Sequence, residues 1–89
     1  MLNTNSLYKF KEINMKIMEY QRISCSLFER LENLTISKSR IKILYLNENN
    51  VSEEVEGDIQ NIFSENNAEF LLIDNVKIRL DKIQSILGN

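Results

Sequence analysis

From residue 39 onward the apolar side chains of this chain fall on alternate positions, and that period of two is the strongest constraint on its fold. Ile41, Ile43 and Tyr45 alternate with Arg40, Lys42 and Leu44. Val76, Ile78 and Leu80 alternate with Lys77, Arg79 and Asp81. Successive side chains of a strand point to opposite faces, so each run presents one apolar face to a core. The last run then drops a beat, because position 82 is Lys and the next isoleucine is Ile83. Such a shift rotates the buried face by one residue, as a bulge or a corner between two strands does. Sharply curled small barrels need corners of this kind, so the Asp81-Lys82 break reads as a device of shape.

The remaining segments fit around these strands. Residues 51–63 carry Val51, Val55, Ile59 and Phe63, which suit a helix by their spacing of four and a strand by their common parity. Gly57 disfavours a helix interior and marks a bend in a strand, so the reading here is a strand bent near Gly57. Asn47–Asn50 and Glu65–Asn67 read as turns, and Asp74-Asn75 as a two-residue hairpin loop. Residues 68–74 and the closing 82–89 complete the strands. Ahead of them, Leu27, Leu31 and Leu34 recur at helical spacing, which predicts a helix over about residues 27–36. Ser26 and Glu29 have the spacing of a capping box at its start. Residues 1–18 form an N-terminal extension, a short helix or a disordered tail, ahead of one domain over 19–89. The fold expected is mostly β, with one helix followed by about five short strands.

Totals bound the function. Eighty-nine residues suffice for one small domain. The single Cys25 cannot form an internal disulfide, and no secretory or membrane-spanning apolar run is visible, so the expected compartment is the cytoplasm. Histidine is absent, and neither a glycine-rich phosphate loop nor a nucleophile motif is present, so no enzyme, cofactor or metal is expected. Cys25 reads as a small buried apolar residue. Charge is uneven: residues 46–76 hold eight acids and no base, while residues 1–45 hold eight bases and four acids. The acidic stretch reads first as a solvated face and second as a surface that steers a basic partner.

The segment Tyr20-Gln21-Arg22-Ile23-Ser24-Cys25, followed by Phe28, Glu29, Leu31 and Glu32, resembles the opening of the Rof family of Rho-binding antiterminators. Residues 67–75 and the Arg79-Leu80-Asp81-Lys82-Ile83 run resemble the later strands of that family, so the likeness spans about Tyr20 to Ile86. The family usually has proline where this chain has Arg22, and often acids where it has Ser26 and Leu27. The resemblance implies a small, strongly bent, Sm-like β-barrel preceded by a helix, with 51–63 as strand. It also implies regulation of transcription termination. Such a protein binds the N-terminal RNA-binding domain of the Rho hexamer, occupies its primary RNA site and inhibits Rho-dependent termination. It is expected to be a monomer on its own and to touch neither nucleic acid nor membrane. The family's acidic helix positions correspond to Glu29 and Glu32, and its turn before the third strand to Asn66 and Asn67.

Each of these residues also has a plainer role. Glu29 is accounted for equally well by the capping box, whereas Glu32 has no such duty. Phe28 belongs under the helix in the core, ahead of a role as a partner contact. Arg79, Asp81 and Lys82 read as a local ion-pair set pinning the corner. The alternative function is a small Sm-like module that binds RNA itself, using Lys9, Lys11, Lys16, Arg22, Arg30, Lys38, Arg40 and Lys42 as a basic side and Tyr8, Phe10 and Tyr20 to stack bases.

Overall fold

The computed structural model describes residues 19–88, so the expectations for 1–18 lie outside the described residues. An irregular lead-in over residues 19–24 enters helix α1, Cys25–Ser37. The helix begins earlier than its leucine spacing suggests, and its cap is Ser24 rather than Ser26. Ser24 has extended backbone angles, and its Oγ accepts from the Leu27 amide at 3.2 Å. The capping box is therefore absent: Ser26 lies inside the first turn and Glu29 does not reach back to it. Packing explains the choice. A cap at Ser24 puts Ile23 just before the helix and Phe28 at its fourth position, the two sites that staple a helix entry, and both side chains pack against the core. A cap at Ser26 would give those sites to Cys25 and Arg30. The helix ends at Lys38, whose left-handed backbone (φ 53°) turns its amide back to the Leu34 and Thr35 carbonyls.

Six strands follow: β1 Ile41–Leu46, β2 Ser52–Gly57, β3 Ile59–Glu65, β4 Ala68–Ile73, β5 Val76–Arg79 and β6 Ile83–Gly88. They form two antiparallel three-stranded sheets, ordered β2-β1-β6 and β3-β4-β5. This is not the single closed barrel expected from the sequence. The bend near Gly57 is present, but it splits residues 51–63 into two strands that belong to different sheets. Gly57 is buried with φ 157°, and the chain changes sheet at the next residue. At the other end, a 3-10 turn over Leu80–Lys82 separates β5 from β6, and these two strands do not pair with each other. The dropped beat is thus a corner. It takes Ile83 into the other sheet, where it lies opposite Tyr45.

The sheets face each other across Ile41, Ile43, Tyr45 and Val55 on one side and Ile59, Leu71, Ile73 and Ile78 on the other, with Leu80 contributed by the corner. Helix α1 contributes Leu31, which is 0% exposed, with Leu27, Phe28 and Leu34 packed around it. Burying one such side chain contributes about 1.5–3 kcal/mol.

Turns are set by residues that tolerate positive φ. Asn66-Asn67 (φ 50° and 63°) and Asp74-Asn75 (φ 48° and 62°) make two-residue hairpins of the type that matches strand twist. Asn47 Oδ1 accepts from the Asn49 and Val51 amides and closes the β1–β2 turn.

Candidate partner-binding face

Glu29 and Glu32 stand three residues apart on α1 and are both exposed. Among the described residues, neither carboxylate has a hydrogen-bond or ion-pair partner. The capping role that competed for Glu29 is taken by Ser24. Phe28 is half-buried and packs against the core, so the core role is the one it fills. Cys25, expected to be buried, is exposed. The helix start explains this, because Ser24 as cap places residue 25 in the first turn, away from Leu31.

The acidic stretch 46–76 is less bare than its composition suggests. Antiparallel pairing sets the acids of β2 beside the bases at the start of β1. Glu54 lies 3.1 Å from Lys42, and Glu56 lies 3.2 Å from Arg40. Glu65 pairs with Lys77, and Glu53 accepts from the Tyr45 hydroxyl and the Asn47 amide. Half-exposed pairs of this kind contribute little stability, but they cancel charge locally. The same pairs occupy Arg40 and Lys42, and Arg30 donates to the Ile86 carbonyl.

Asn66 and Asn67 are exposed at the β3–β4 turn and line a shallow cleft of about 440 Å³ with Tyr20, Phe70 and Arg79. Among the described residues, no hydrogen bond or ion pair joins the helix acids to this turn. What connects them is the lead-in: Tyr20 and Arg22 border the turn, and the same segment enters α1 at Cys25. Phe70, which lines the cleft, stacks on Phe63 (centroids 5.7 Å apart), with the Lys77 ammonium 4.4 Å from the Phe70 centroid.

The lead-in is held by contacts that sequence reasoning missed. Arg79 grips Asp81 with two parallel bonds, Nε to Oδ1 at 2.6 Å and Nη2 to Oδ2 at 2.8 Å. Asp81 Oδ2 also accepts from the Gln21 amide at 2.9 Å, and Arg79 Nη2 donates to the Glu19 carbonyl at 3.3 Å. The Arg79 guanidinium lies 5.8 Å from the Tyr20 ring centroid. The Tyr20 hydroxyl donates to Glu69 at 2.8 Å. Burial, reinforced by Glu69, pushes that hydroxyl up to about 12. The local ion pair expected at the corner is present between Arg79 and Asp81. Its reach to residues 19–21 left no signal in the sequence, because the partners lie about 60 residues apart along the chain.

No protein-family model matches this chain, and no curated protein matches its sequence. No helix among the described residues is long and apolar enough to cross a membrane.

Proposed function

We propose that this chain binds the N-terminal RNA-binding domain of Rho, covers its primary RNA site and so inhibits Rho-dependent termination. The observation that carries the reading is the pair of exposed carboxylates, Glu29 and Glu32, without a partner among the described residues, on a helix whose other face is anchored in the core. A cleft built for RNA is basic because it must meet phosphates. Carboxylates presented on a rigid helix are steered to such a surface and compete with RNA for the same cations. The β3–β4 turn, Asn66-Asn67, supplies neutral donors and acceptors at the edge of the contact. A helix leading into small antiparallel sheets, with the chain bending at Gly57 from one to the other, supports the Sm-like reading of the fold. The residues cited for the resemblance, Tyr20, Ile23, Phe28 and the Arg79-to-Ile83 run, are those that join lead-in, helix and corner here.

The test is a pull-down with the Rho N-terminal domain, comparing wild type with the Glu29→Lys, Glu32→Lys double variant, with and without a pyrimidine-rich RNA competitor. Wild type is expected to bind, RNA to displace it, and the double reversal to weaken binding by about a hundredfold, a loss of the size expected for close charge pairs. Both proteins should keep the same far-ultraviolet circular dichroism, since the two positions are exposed. If wild type ignores Rho but binds RNA oligomers with steep salt dependence, the RNA-module reading replaces this one.

A further inference from the structure

Four of the six strands lie at sheet edges, and three of these are guarded. An edge strand offers unpaired amides and carbonyls to any neighbouring strand, and charged side chains are the usual protection. Strand β2 carries Glu53, Glu54 and Glu56, and β5 carries Lys77 and Arg79. Strand β3 ends in Glu65 and lies against α1. Strand β6, Ile83-Gln84-Ser85-Ile86-Leu87-Gly88, has no charged residue and no proline. It pairs with β1 on one side and, among the described residues, with no strand on the other. Leu87 is 59% exposed, and among the described residues no other large apolar side chain within a strand is left so open. One side chain shields this edge: Arg30 of α1 donates to the Ile86 carbonyl at 3.4 Å, near the outer limit for such a bond.

We propose that the free edge of β6 pairs antiparallel with β6 of a second copy, about a two-fold axis near Ser85 and Ile86, and so joins two three-stranded sheets into one of six strands. The occupant follows from charge. Across a two-fold axis a strand faces itself, so each charge it carries meets its like, and like charges across a strand pair destabilise it. Self-pairing of β2 would set glutamates against glutamates, and self-pairing of β5 would set Lys77 and Arg79 against their copies. Strand β6 faces itself without repulsion, and a charged peptide finds nothing on it to match. A net charge of −2 is also too small to hold copies apart. Leu87 then lies at the join, where the neighbouring strand covers it. One strand pair buries less than the roughly 1,200 Å² of a stable complex, so the dimer is expected to be weak, with a Kd of about 100 µM. It departs from the monomer that the family resemblance implies, and it does not depend on Rho binding.

The test is sedimentation equilibrium of the full chain from about 10 µM to about 1 mM, a range that brackets the expected Kd. Nitrogen-15 amide spectra are recorded over the same range. The mass should rise from monomer towards dimer, and the amide shifts that change with concentration should cluster at residues 84–88. Leu87→Lys and Leu87→Glu each bring like charges to the axis, and each alone should weaken association about tenfold. An equimolar mixture of the two should associate about tenfold more tightly than either, because opposite charges then meet. Position 87 is exposed, so both variants should keep the wild-type circular dichroism spectrum, and the shift map needs no variant at all. A monomer at the highest concentration overturns the proposal. So does a mass beyond the dimer, which would mean that β6 pairs with a different edge in an extending chain of copies. Shifts confined to β2, β3 or β5 place the contact elsewhere and overturn it too. A mixture no tighter than its components rejects the two-fold axis. Amides 84–88 slow to exchange in a chain that stays monomeric would mean that the edge is filled from within one copy, which rejects the second copy as its occupant.

Discussion

Tyr20 shows how one side chain ties local chemistry to stability. Its hydroxyl is pushed from 10.0 up to about 12, first by burial and then by the acceptor Glu69, because both disfavour phenolate. Tyr45 moves in the same direction, through burial and then Glu53. A proton held more tightly by the folded than by the unfolded state stabilises the fold below the unfolded value. That contribution is lost as pH rises through the folded one. Stability should therefore fall between about pH 10 and pH 12, and Tyr20→Phe should flatten the fall. Urea unfolding across that range, with tyrosinate absorbance read in parallel, checks it. An equally steep loss in Tyr20→Phe would assign the effect elsewhere. The residue scale was also where the sequence was least legible. Glu29 and Glu32 were singled out by the family resemblance, but whether Glu29 serves the helix cap depended on which of two serines begins the helix. Cys25 was misplaced for the same reason. Both serines satisfy the local rule, and only the packing of Ile23 and Phe28 decides between them.

Elements were far easier to read. Alternation located β1 and β5, a run of large apolar residues located β4, and asparagine and aspartate located the tight turns, because those residues adopt positive φ at low cost. The bend at Gly57 was legible too. Its consequence was not, since a bend within one sheet and a crossing between two leave the same trace in sequence. The barrel expected from the resemblance thus became two sheets, and five strands became six. The helix start gives a sharp test at this scale. Ser24→Ala should destabilise the protein by about 1 kcal/mol, the usual loss for an N-cap. Ser26→Ala, an exposed position within the first turn, should change stability by less than about 0.5 kcal/mol. Equilibrium unfolding of the two variants checks this, and the opposite ranking would restore the cap to Ser26.

Across the whole molecule, the two sheets differ in how far apart their strands lie along the chain. Strands β3, β4 and β5 follow one another through two-residue turns, so their contacts are local. In the other sheet β6 must find β1, with Gly88 opposite Ile41, and the Gln21 amide must find Asp81 to fasten the lead-in. Closing longer loops costs more chain entropy before any contact compensates it. The β3-β4-β5 meander should therefore assemble first, and the lead-in and β6 last. Chevron analysis should show Ile78→Val chiefly slowing folding and Ile86→Ala chiefly speeding unfolding. A reversed partition would place the nucleus in the β1–β6 pairing. One outcome follows for the native protein at rest. A fastening formed last is the first to come undone, so brief openings should begin at residues 19–21 while the meander stays shut. A protease able to cut beside Arg22 would then sample the fastening's lifetime without unfolding the molecule.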